Sequence, residues 1–184
     1  NTGMFYGKWG LISRDGREIV PPQYDEIGGD YERVFSNGVT KVKLDGKWGL
    51  IDTTGGEVLP PTYEDMANYS EGLAAVRREG KGGYINTAGQ EVIPAIYEGT
   101  SPFSEGLAAV KLNGKWGFIN KNGEMVIPPR YENAGSFQRG LARVVRAGKW
   151  GIIDTTGREI VPPEYNRIWL YYRDETEPST IEPG

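Results

Sequence analysis

The chain contains no histidine and no cysteine among its 184 residues. Without imidazole it lacks the usual general base near neutral pH, the commonest metal ligand, and every Ser-His or Cys-His pairing. Without thiols it has no disulfides, no zinc-thiolate site and no sulfur nucleophile, a composition compatible with either redox compartment. It also lacks a strong excess of either charge. Lys and Arg number 21 against 25 Asp and Glu, for a net charge of −4. The cations are scattered, which argues against the concentrated basic footprint of a nucleic-acid binder. No run reaches 18 apolar residues, so no membrane-spanning helix is expected, and no secretory leader is recognisable. With triads, thiolate sites and phosphate-cradling loops all missing, no catalytic, cofactor-binding or metal-binding residue is assigned.

What is present is repetition. Gly-Lys-Trp-Gly occurs at 7–10, 46–49, 114–117 and 148–151, with a degraded copy at 80–83. The tryptophan column falls at Trp9, Trp48, Gly82, Trp116 and Trp150, a first step of 39 residues followed by steps of 34. A fixed period of this size predicts an array of one stacked supersecondary unit. The 27 glycines and 12 prolines recur in register, so they punctuate turns rather than signal disorder.

Each copy reads as a three-strand meander. Asp45-Gly46, Glu79-Gly80, Asn113-Gly114 and Ala147-Gly148 fall between strand-like runs, and Asn-Gly or Asp-Gly there marks a two-residue hairpin turn with positive φ. A second turn carries Gly16, Gly55, Gly89, Gly123 or Gly157, and suits a type I turn closed by a left-handed residue. Pro21, Pro60, Pro94, Pro128 and Pro162 are expected to end the third strand, because proline cannot donate to a ladder. Glu132–Ser136 and its counterparts read as polar linkers. Alternation along the middle strand puts Trp116 and Phe118 on one face and Gly117 and Ile119 on the other. The glycine is expected to admit a neighbouring backbone or ring. One unit cannot bury its own apolar face, so the faces must stack between copies.

The ends differ from the middle. Met4 and Tyr6 are the expected buried positions of the first strand. Gly28-Gly29-Asp30 marks the longer first step as a surface loop. Ile168, Trp169, Leu170, Tyr171 and Tyr172 form a β-prone run that either closes the last unit or serves as an assembly edge. Residues 173–184 read as an acidic tail.

These motifs, Gly-Lys-Trp-Gly-[Leu/Phe/Ile]-Ile-[Asp/Asn], Gly-x-Glu, Pro-Pro-x-Tyr-[Asp/Glu] and [Phe/Tyr]-Ser-Glu-Gly-Leu-Ala, resemble the WG-containing repeat proteins of bacteria across about residues 7–172. The resemblance implies β-hairpin repeats, often in secreted or surface-associated proteins, and hence an extracellular or cell-surface location. It implies little about activity. A looser similarity to choline-binding cell-wall repeats, which are shorter, rests on Gly114–Gly123.

Several motifs carry a sharper alternative. Pro-Pro-x-Tyr resembles a ligand of aromatic-grooved modules. In register, however, it is a strand exit with Tyr24, Tyr63, Tyr97, Tyr131 or Tyr165 pinned on the core. Asp52–Glu57 and Asp154–Glu159 faintly resemble calcium loops but offer too few oxygens, and a turn with side-chain-to-backbone hydrogen bonds is the simpler reading. The columns Glu18, Glu57, Glu91, Glu159 and Asp25, Glu64, Glu98, Glu132 could supply paired carboxylates for hydrolysis, yet identical repetition favours a solvated ladder. Asn68-Tyr69-Ser70 is a glycosylation sequon, relevant only in a eukaryotic secretory route. Gly82 is either drift, with Tyr84 filling the space, or a pocket.

The sequence therefore predicts an all-β array of five repeats of about 34 residues over residues 1–172, open and solenoid-like, with a closed toroid as the alternative. The functional expectation is a non-enzymatic scaffold that binds a protein partner or itself. A glycan- or cell-wall-binding module using exposed aromatics is the alternative, and a carboxylate-based hydrolase ranks behind it.

Overall fold

A computed structural model describes residues 7–29 and 34–170; Met4, Tyr6, Tyr171, Tyr172 and the acidic tail lie outside them. All regular structure among the described residues is β-strand, in five open antiparallel sheets taken one after another along the chain. No described strand of the first sheet pairs with one of the last, so the array is open rather than toroidal. The first unit contributes Trp9–Ile12 and Glu18–Tyr24. Each later unit has four strands, which in the fourth are Gly99–Thr100, Leu107–Leu112, Lys115–Asn120 and Met125–Tyr131. The extra two-residue strand lies in the segment read as linker. Asn133–Ala134 and its counterparts pair with the following strand.

The central hairpin is regular, running from Leu107↔Asn120 to Leu112↔Lys115. Its turn places Asn113 at φ 52° and Gly114 at 74°, the paired positive torsions of a type I′ turn. Asp45-Gly46, Glu79-Gly80 and Ala147-Gly148 do the same. A second set of tight turns, Asn37-Gly38, Glu71-Gly72, Glu105-Gly106 and Arg139-Gly140, also has positive φ at both residues.

The prolines do not end the third strand. Trp116 pairs with Tyr131 and Phe118 with Ile127, so one residue of the middle strand opposes three of its partner. The prolines sit in this bulge, where no ladder bond is required of them. The bulged backbone lies over Gly117: a Cβ there would stand 2.7 Å from Pro129 N and close to Ile127 O. Gly49, Gly83 and Gly151 meet the same backbone in their own units.

Both faces of the middle strand are buried, since Phe118 and Ile119 are equally inaccessible. The reason is stacking. The tryptophan face of one sheet packs on the isoleucine face of the next, and each apolar core is shared between neighbours. Leu107, Ala109, Phe118 and Ile127 of the fourth unit pack with Ala142, Val144 and Ile153 of the fifth. Units two and three, and units three and four, repeat this arrangement. Val20 and Tyr24 of the first unit meet Val42 and Ile51 of the second.

Polar staples follow the same period. Ser70 Oγ donates to Phe103 O and Ser104 Oγ to Phe137 O, both at 2.7 Å. The Glu71 carboxylate accepts from Gly106 N at 3.1 Å, and that of Glu105 from Gly140 N at 2.8 Å.

Candidate functional site

Most members of the carboxylate columns are occupied by structural work. Glu64 accepts from Glu79 N and Gly80 N at 3.0 and 3.1 Å, closing the hairpin turn, and Glu132 does the same for Ala147 and Gly148. The Gly80 N–H in particular holds the Glu64 carboxyl below its usual range. Asp52 Oδ1 accepts from Thr54 N, Thr54 Oγ1 and Gly56 N, and Asp154 repeats the pattern. Asn86 and Asn120 serve the same turn in the other units. These are the side-chain-to-backbone turns expected of those sites, and the threonine hydroxyl above all lowers the pKa of both aspartates. Glu91 and Glu159 pair with Arg78 and Arg146. Among the described residues, no three acidic groups come together as a metal site.

The aromatic columns divide by position. Tyr24, Tyr63, Tyr97 and Tyr131 are buried, as is Trp48, while Trp116 and Trp150 are half-buried. Two expected core residues are not in the core: Trp9 is 50% and Tyr165 51% exposed. Tyr165 lies on the tryptophan face of the last unit, which no further unit covers, and Trp9 lies in a first unit that has two strands among the described residues against four in each later one. Ile168–Leu170 form no strand; Trp169 is 84% exposed, with the Arg143 guanidinium 5.8 Å from its ring.

Gly82 is buried. The neighbour that fills its space is Thr100 of the next unit, whose Cγ2 would lie 2.7 Å from a Cβ at residue 82. Tyr84 instead takes the buried place of Leu50 and Phe118 in its own unit. Its ring meets Phe103 edge-on at 4.9 Å, and its hydroxyl donates to Ser101 O at 2.7 Å. Burial raises its pKa.

One cleft opens between units and another beside the last unit, and residue-by-residue reading missed both. One of about 490 Å³ lies between the second and third units, lined by Gly28, Ser36, Thr40, Lys41, Met66 and Tyr69 among others. Lys41 crosses it. Its Nζ donates to Met66 O at 2.9 Å and lies 4.9 Å from the Trp48 ring centroid. The Lys41 chain runs where a Cβ on Gly28 would stand, so a larger residue there would make Lys41 move aside. Burial lowers the Lys41 pKa, and Glu26 and Asp65 oppose the shift. The buried Thr40 hydroxyl donates to Gly28 O at 3.1 Å. Tyr69 donates to Asn86 O, and burial pushes its pKa up to about 12. A smaller cleft of about 190 Å³ beside the fifth unit is lined by Gly135, Arg143, Trp169 and Leu170 among others. Arg143 holds the repeat position of Lys41 and lies 5.7 Å from Trp150. The third and fourth units have Ala75 and Ala109 there. The signal was legible as a column reading Lys, Ala, Ala, Arg.

Fold and clefts together define a linear β-repeat protein in which side chains of one unit complete the core of the next. The WG containing repeat model matches residues 9–48, 48–81, 83–116, 116–150 and 150–174, so the chain belongs to the WG containing repeat family. No curated protein matches the chain significantly.

Proposed function

We propose that this chain is a non-enzymatic repeat scaffold that associates with a second copy of itself through its end faces. The observation carrying the reading is the contrast between Ile12, 70% exposed on the first unit, and Ile51, Ile85, Ile119 and Ile153, all fully buried at the same repeat position. In the interior that face always covers the tryptophan face of the preceding unit. On the last unit, the tryptophan face presents the exposed Tyr165 and the half-buried Trp150 and Leu141. A first unit seated on a last unit continues the interface that the chain already repeats, and the contact is head-to-tail. Carboxylates held ionised by a turn hydroxyl, as Asp52 is, or by a turn amide, as Glu64 is, make poor general acids, which supports a role without catalysis.

Light scattering on the whole chain tests the association. The expected mass rises above the 20.4 kDa monomer with concentration, and Ile12→Lys abolishes the rise. A constant monomer mass up to about 1 mM overturns the reading. The glycan-binding alternative has less support, because among the described residues the bare aromatics Trp9, Tyr165 and Trp169 sit at the two ends and form no row along the array. A glycan array on the same sample tests it. A location at or beyond the cell surface is part of the proposal and rests on the family resemblance. Fractionation of cells followed by immunodetection tests that location.

A further inference from the structure

We propose that the cleft between the second and third units is a binding site for a small carboxylic acid bearing hydroxyl or ammonium donors, with Lys41 holding the carboxylate and Glu26 receiving the donors. The proposal is independent of end-face stacking.

The first argument is the column. Where the third and fourth units place Ala75 and Ala109, the second places a half-buried ammonium across a cleft. Burying a cation without an opposite charge is costly. Among the described residues, no carboxylate lies within ion-pair distance of Lys41. Its polar partner is the Met66 carbonyl, and among the described residues no acceptor meets the other two of its three N–H donors. The Trp48 face beneath it stabilises the charge and leaves those donors directed elsewhere.

The fifth unit provides a second instance. There too a cation at the same repeat position stacks on its own tryptophan and lines a cleft. Core packing alone asks only for a small apolar residue, as the fully buried Ala109 demonstrates.

The ligand class follows from the walls. Lys41 selects an anion, and a planar carboxylate can accept both remaining N–H groups. Glu26 also lines the cleft, and its charge is felt at Lys41. A bare anion would be repelled there, whereas a ligand with hydroxyl or ammonium groups donates to it. The volume of about 490 Å³ suits a molecule the size of a single sugar acid or amino acid.

The test is an amide NMR titration of the whole chain with D-glucuronate, with acetate and D-glucose as partial ligands. Saturable shifts are expected at Gly28, Lys41 and Met66, with both partial ligands at least about 10-fold weaker. Lys41→Ala copies the third and fourth units, so it keeps the fold, and it should weaken glucuronate about 10-fold or more. Lys41→Arg copies the fifth unit and should retain most of the affinity. Glu26→Gln alters an exposed side chain and should narrow the gap between acetate and glucuronate. The proposal is overturned by any of three results: no saturable shift at those amides up to tens of millimolar glucuronate (roughly the weakest specific range), glucose binding as well as glucuronate, or Lys41→Ala binding as the parent does.

Discussion

A missing Cβ does two different jobs in this chain. Gly117 has no side chain because a bulged backbone passes over it, and backbone cannot rotate aside as a side chain can. Gly117→Ala should therefore overpack, costing about 1–3 kcal/mol in urea unfolding. An unchanged midpoint would mean that the bulge yields. Gly82 differs, because the atom that crowds it is the γ-methyl of Thr100. Gly82→Trp should likewise destabilise by about 1–3 kcal/mol. Trp116 rests instead beside the small Gly99, and Ala134, at the repeat position of Thr100, packs on the same core, so Gly82→Trp combined with Thr100→Ala should recover most of the loss in thermal melts. If the double variant is no better than the single, Thr100 is not what fills the vacancy. The close approach to the glycine of each Trp-Gly was legible in the sequence, since a strand interior has no other use for it. Thr100 was not, because it stands 18 residues away in a stretch without apolar alternation.

Among the elements, the tight hairpin was the most legible, because paired positive torsions have a strong residue preference. The Pro-Pro strand was not, because proline's cost depends on a ladder bond that the bulge removes. Two-residue strands such as Gly99–Thr100 are too short to show a period. Turn carboxylates supply a testable pH dependence. Asp52 and Asp154 are held low chiefly by Thr54 and Thr156, Glu64 by the Gly80 amide, and Glu71 by Lys121. A carboxylate with a depressed folded pKa stabilises the fold above its unfolded pKa, and that contribution is lost as pH falls through the folded value. The window opens at about pH 4 and extends downward. Melting temperature should therefore be flat from about pH 7 to 5 and fall below about 4. Asp52→Asn reproduces the Asn86 and Asn120 turns, so it should keep the fold and soften the acid loss. An acid loss identical to the parent's would remove Asp52 from the account.

At the scale of the whole molecule, stability is a sum of units and of the faces between neighbours, because each core is shared by two adjacent sheets. The period announced stacking, but it did not show that both faces of the interior middle strands would be covered, or that Trp9, Ile12 and Tyr165 would be left out. That distinction belongs to neighbours rather than to residues, and identical motifs have different burial at the ends. An array of this kind should survive loss of a whole unit if the new faces match. Excising residues 64–97 joins Tyr63 to Glu98 and seats the fourth unit on the tryptophan face of the second. Trp48 would then meet Thr100 where it now meets Met66. Threonine lies between Met66 and Ala134, its own repeat counterpart, in size, so the pocket for the indole is neither overfilled nor empty. Phe103 would lose the edge-on contact with Tyr84 and rest against Leu50. The shortened chain should keep its β circular dichroism and unfold in one transition, with a urea slope lower by roughly a fifth, one unit of exposed surface in five. Loss of cooperative unfolding, or a slope as large as the parent's, would mean that contacts beyond nearest neighbours hold the array together.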